Sequence, residues 1–96
     1  MAARTSVLLD IGGDVGALVL TVPDRYLGRE IEVSPVGDDA RRTHTAVLER
    51  RVAGRTLCAA VYPALRAGEW RIWGDEGGLP SRFRIEGGAV AEVDWR

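Results

Sequence analysis

Short apolar runs recur along this chain, each closed by Gly, Pro or Asp, and that punctuation confines it to a domain of short strands. The strands predicted are Val7–Ile11, Ala17–Val22, Glu30–Pro35, Thr43–Val52, Arg55–Tyr62, Glu69–Trp73, Ser81–Glu86 and Ala89–Trp95. This roster gives the expected fold class: all-β, an antiparallel β-sandwich of seven to eight short strands. Alternation assigns the faces. Ile31 and Val33 oppose Glu30, Glu32 and Ser34; Trp70 and Ile72 oppose Glu69, Arg71 and Trp73; Phe83 and Ile85 oppose Arg82, Arg84 and Glu86. One apolar and one charged face is the pattern of a sheet with one wet side. Ala91, Val93 and Trp95 form the inward set of the last strand. Thr43–Val52 assigns no clear face, because Val47 lies opposite Ala46, Leu48 and Val52.

The joints carry turn chemistry. Three glycines in Gly12-Gly13-Asp14-Val15-Gly16 permit the positive φ values of a tight connection. Ala53-Gly54 and Gly87-Gly88 are short enough to close hairpins, which pairs Thr43–Tyr62 and Ser81–Trp95 as two antiparallel units. The segments 37–40 and 74–78 are longer polar loops. Pro23-Asp24-Arg25-Tyr26-Leu27-Gly28 reads as a crossover loop with at most one helical turn.

The stretch from Tyr62 to Trp73 reads as a sandwich corner. Pro63 ends one strand, Leu65 tucks under the turn, and Gly68 restarts the chain toward Trp70 and Ile72. This corner resembles the turn of transthyretin-like (prealbumin-like) β-sandwiches, including carboxypeptidase regulatory-like domains, carried here by Tyr62, Pro63, Leu65, Gly68, Trp70 and Ile72. The chain is also similar to short single-domain actinobacterial proteins of unknown function that sometimes carry a phospholipase label. The resemblance implies a sandwich of seven or eight strands that acts as an adhesive, spacer or partner-binding module. Its hydroxyisourate hydrolase branch is recognised by a C-terminal Tyr-Arg-Gly-Ser signature and inward His and Arg residues. This chain ends Val93-Asp94-Trp95-Arg96 and has one His, so no catalytic residue carries over.

A chain of 96 residues makes one domain, spanning 1–96, that buries about 60–68% of its unfolded surface. That size supports one core and leaves little material for a roomy cleft. Thirteen basic residues against 14 acidic ones give a net charge of -1, which argues against generic nucleic-acid binding and leaves room for local patches. All the basic residues are Arg, a codon signature of a GC-rich genome. The single Cys58 has no internal disulfide partner and points to a reducing compartment, so the cytoplasm is the expected location. Asp10 interrupts the run Val7-Leu8-Leu9, and no apolar stretch approaches the length of a membrane span, so no membrane association is expected.

Chemistry-bearing residues are few. His44 is the sole histidine, and its neighbours Thr43 and Thr45 point to the opposite face of a strand; it is the one weak catalytic candidate. No serine lies in a Gly-x-Ser-x-Gly elbow. Cys58 sits among small apolar residues, which describes a structural thiol. Neither a zinc spacing nor a calcium loop is present, and the glycine-rich 12–16 segment lacks the Lys and following helix of a phosphate cradle. No metal and no cofactor are therefore expected.

Trp73 shares parity with Glu69 and Arg71 on a wet face, which makes it end cover, an interface residue or a ligand platform. Arg71, Glu69, Arg82 and Arg84 accompany it as interface or ligand candidates. The pairs Arg41-Arg42, Arg50-Arg51 and Arg82/Arg84 suggest an anion site, against which Glu30, Glu32, Glu49, Glu69 and Glu86 offer cross-strand neutralisation. The expected function is non-enzymatic: a β-sandwich module that binds a protein partner or itself, with a homodimer formed through edge strands. Two alternatives remain open, a small-molecule or carbohydrate binder using Trp73 and the 74–78 loop, and a small hydrolase using His44.

Overall fold

The two least polar stretches of the chain occupy the centre of one sheet. They are β1 (Val15–Val22) and β5 (Arg55–Arg66), antiparallel over Val19↔Val61 and Leu20↔Ala60. The computed structural model describes residues 11–74 and 79–96. Its remaining strands are β2 (Glu30–Pro35), β3 (Thr43–Ala46), β4 (Leu48–Val52), β6 (Gly68–Ile72), β7 (Arg82–Ile85) and β8 (Val90–Asp94). They form two four-stranded sheets, β4-β5-β1-β8 and β3-β2-β6-β7. The all-β sandwich expected from the sequence is thus observed. Its pairing is antiparallel except for β1 with β8, which run parallel.

Inward side chains follow the alternation. Leu18, Leu20 and Val22 of β1 and Ala60, Tyr62 and Leu65 of β5 meet Ile31, Val33, Trp70, Ile72, Phe83 and Ile85 of the other sheet. Aromatic pairs close the two ends of this core. Trp70 stacks on Phe83 with ring centroids 6.2 Å apart, and Tyr26 tilts against Trp95 at 5.7 Å. The Tyr62 hydroxyl crosses the core and donates to the Ile31 carbonyl, tying β5 to β2.

Three expectations are corrected. Thr43–Val52 is two strands in different sheets. Val47, fully buried, is the switch between them, and its backbone bonds to Gly28 and Arg29 of the crossover segment. A strand that changes sheets at a bend reverses its face pattern there, which explains the ambiguous alternation. Pro63 does not end its strand. Gly16 pairs Leu65 and Leu18 pairs Tyr62, so Pro63 and Ala64 oppose Ala17 alone in a bulge, and β5 runs on to Arg66. A bulge is one of the places where a strand tolerates proline. Finally, Gly87-Gly88 closes no hairpin. The chain crosses there to the other sheet, and β8 lies beside β1. Crossing and hairpin both turn Phe83, Ile85, Ala91 and Val93 toward one core, so alternation does not separate them. The expected strand Val7–Ile11 lies outside the described residues except for Ile11, which is not in a strand.

That crossing depends on backbone contact. A Cβ on Gly87 would stand 1.7 Å from the Gly13 carbonyl oxygen, and one on Gly16 would stand 2.4 Å from that of Glu86. Around these contacts Gly88 donates to Val15, Ala17 to Ala89, and Ala67 to Asp14, at 2.9, 3.0 and 2.7 Å. The crossover loop, by contrast, is the single helical turn expected, a 3-10 turn over Asp24–Tyr26. Cys58 is buried and donates its thiol to Asp24 Oδ1 at 3.6 Å.

Two predictions follow from this packing. Gly87→Ala should destabilise the fold by about 3 kcal/mol, the upper range for overpacking. Gly13→Ala, with φ of 56° and open space for a Cβ, should lose only about 1 kcal/mol; urea midpoints of the two variants measure the difference. The second prediction concerns alkaline pH. Burial, then the Asp24 and Glu49 carboxylates, pushes the Cys58 thiol up, and burial pushes the Tyr62 phenol up. The unfolded chain therefore releases these protons first, from about pH 8.5 for a thiol. Stability should fall as pH rises past that value. Cys58→Ala should flatten the decline between about pH 8 and 9.5, read from urea midpoints across that interval.

Candidate functional site

The outer face of the β3-β2-β6-β7 sheet gathers most of the chemistry-bearing side chains. Strand alternation puts Glu30, Glu32 and Ser34 of β2, Glu69 and Arg71 of β6, His44 of β3, and Arg82 and Arg84 of β7 on this face. Cross-strand neighbours then follow from register: Glu32 with His44, Ser34 with Arg71, Glu69 with Arg84, and Arg71 with Arg82.

Trp73 lies on this face, just past the end of β6. Its backbone N–H donates to the Glu32 carbonyl at 2.9 Å and its indole Nε1 donates to Ser34 Oγ at 3.0 Å. The guanidinium carbons of Arg42 and Arg71 each stand 3.7 Å from its ring centroid. Two guanidiniums hold that distance by taking opposite faces of the ring. Arg42 is itself fixed by Glu32 Oε1 at 2.9 Å and by the Asp39 carbonyl at 3.3 Å. Trp73 is thus a half-buried ring clamped by two cations and anchored at its edge.

Ser34 shares the wet face by parity yet is fully buried, because the indole covers it. The alternation therefore placed it on the correct face while missing its burial. Arg42 was legible as half of an Arg pair, but its position over Trp73 was not, since it precedes β3 in a loop. Arg50 and Arg51 belong to β4 in the other sheet and do not join this site.

Charges on the face are only partly matched. Arg84 pairs with Glu69 at 2.8 Å and approaches Glu86 at 3.8 Å. Arg71 and Arg82 sit directly opposite one another, and among the described residues neither has a carboxylate partner. Like charges directly opposite on a sheet repel. This leaves a positive spot beside the clamped ring.

His44 is exposed, with Nδ1 2.8 Å from Glu30 Oε1. A hydrolytic role needs a nucleophile near it. The hydroxyl on this face, Ser34, is occupied as an acceptor for the indole, and Cys58 turns instead to Asp24. Among the described residues no group of three His, Cys, Asp or Glu side chains stands ready to hold a metal ion. No described helix is long and apolar enough to cross a membrane. The corner residues Tyr62, Pro63, Leu65, Gly68 and Trp70 lie at the passage from β5 to β6, where Leu65 and Trp70 are buried beneath the turn and Trp70 Nε1 donates to the Arg66 carbonyl at 2.8 Å. No protein-family model, curated protein or solved structure matches this chain.

A double-mutant cycle tests the clamp. Arg42→Ala and Trp73→Ala should couple by about 0.5–1 kcal/mol, the range of an exposed cation–π contact. Arg51→Ala paired with Trp73→Ala, joining residues of different sheets, should show coupling indistinguishable from zero. Denaturant midpoints of the single and double variants provide both numbers.

Proposed function

We propose that this protein is a binding module that acts through protein–protein contact on the outer face of the β3-β2-β6-β7 sheet. The observation that carries this reading is the preorganised cluster of Trp73, Arg42 and Arg71. Trp and Arg are the side chains that most often dominate interface energetics, and ones already held in place lose little entropy on binding. The positive spot at Arg71 and Arg82 favours a partner with acidic groups opposite it.

Geometry argues against the alternatives. A sugar ring needs a bare aromatic face, and both faces of Trp73 carry a guanidinium. The outer edges carry Arg50 and Arg51 on β4, Arg82 and Arg84 on β7, and Glu92 and Asp94 on β8. Charged edges resist strand addition, which favours the face over a homodimer joined through β4, β7 or β8; the fourth edge, β3, carries Thr43, His44, Thr45 and Ala46. The corner and the paired four-stranded sheets support reading the chain as a divergent transthyretin-like sandwich, a resemblance that implies an adhesive, spacer or partner-binding module.

Light scattering across concentration, together with affinity capture from the source cell, tests the proposal. Wild type and Glu92→Lys should bind a partner or self-associate alike, whereas Arg71→Glu and Trp73→Ala should lose at least tenfold. A chain that stays monomeric and captures nothing, or one whose binding ignores Arg71→Glu, overturns the reading.

A further inference from the structure

At the end of the sandwich where β5 turns into β6, a groove of about 420 Å³ opens between that corner and the loop leading into β3. Its floor is apolar, made by Leu65 and Trp70, with Pro35 and Ala64 beside them. Three arginines, Arg41, Arg42 and Arg66, share its lining with Thr43. We propose that this groove takes an acidic segment of a partner protein, with an apolar side chain on the Leu65–Trp70 floor and flanking carboxylates on the arginines.

Charge and donor geometry select that occupant. Arg41 is held by Asp38 at 3.3 Å and Arg42 by Glu32 at 2.9 Å, which positions both groups and leaves further N–H donors on each planar fork. Arg66 has no acid among the described residues. The lining includes three arginines and no acid, with Arg41 and Arg42 already paired to Asp38 and Glu32 outside it. A carboxylate laid against Arg66 and Arg41 gains charge-assisted hydrogen bonds that water alone does not match. A basic segment meets repulsion, and a purely apolar one leaves the guanidinium donors facing carbon. The volume lies at the low end for ligand sites, enough for a side chain or two rather than a folded domain.

Arg42 makes the groove continuous with the sheet face, because this residue lines the groove while its guanidinium covers Trp73. The inference therefore rests on the protein-binding reading and names what that partner presents. It adds Arg66 and Thr43 to Arg41 and Arg42, an adjacent pair that the sequence singles out for anion binding.

Fluorescence anisotropy on the full chain provides the test, with three labelled hexapeptides as probes: alternating Glu-Leu, alternating Glu-Ser and alternating Lys-Leu. The Glu-Leu peptide should bind at low salt, at least fivefold tighter than Glu-Ser, with no binding of Lys-Leu. Arg66→Glu should weaken Glu-Leu binding at least tenfold, while Arg51→Glu, on β4 of the other sheet, should change it less than threefold. Thermal midpoints confirm that both variants fold; if Arg66→Glu does not, Arg66→Gln replaces it with the same direction of effect. No binding of Glu-Leu, equal binding of Lys-Leu, or indifference to substitution at Arg66 overturns the groove proposal. The sheet-face reading fails separately, through partner binding that ignores Arg71→Glu.

Discussion

Backbone packed directly on backbone is the constraint on which this molecule rests. Where Gly87 lies against Gly13 and Gly16 lies under Glu86, no side chain separates the turns, and hydrogen bonds from Gly88, Ala17 and Ala67 lock three turns together. This junction starts β8 alongside β1 and fixes the parallel register Ala17↔Val90. It also pins Ala67, the residue between β5 and β6, and so sets where the chain enters the second sheet. Both the groove and the position of Trp70 inherit their geometry from that entry point. Glycine is required at 16 and 87 by lack of space rather than by conformation, since neither has a positive φ.

The same economy governs the polar face. A sheet face exposed to water is ordinarily covered by ion pairs worth little individually, and Arg84 with Glu69 is one such pair. The Trp73 cluster differs because its parts constrain each other. Glu32 orients Arg42, Arg42 covers one ring face, Arg71 covers the other, and buried Ser34 accepts the indole proton. Each side chain is held by at least one other member of the cluster.

The sequence carried the layers of this fold better than its connections. Alternation located Trp70, Ile72, Phe83 and Ile85 correctly because a half-wet sheet imposes a period of two wherever it runs straight. It failed at Val47, Pro63 and Gly87, and each failure has the same origin. A switch between sheets, a bulge and a crossing turn all interrupt the period with one or two residues whose local chemistry equally suits a hairpin or a strand end. Parity likewise placed Trp73 beside Glu69 and Arg71. The clamp itself was hidden, because Arg42 reaches the ring from a loop and Ser34 is buried by a residue 39 positions away. Arg66 gave no signal at all, being one exposed arginine among thirteen until the corner carries it to the groove.

Crossing between sheets at both flanks also determines where such a domain can meet another molecule. The passage from β3 to β4 and that from β7 to β8 each join one sheet to the other, so the outer edges are short strands directly continued into the opposite layer. Short edges bearing Arg50, Arg82 and Arg84 are poor templates for an added strand. The inner surfaces of both sheets are consumed by one core. What remains is the outside of a sheet and the end where loops converge, and in this protein those two surfaces share Arg42. The side chain of Arg42 therefore joins the cover of Trp73 to the lining of the groove.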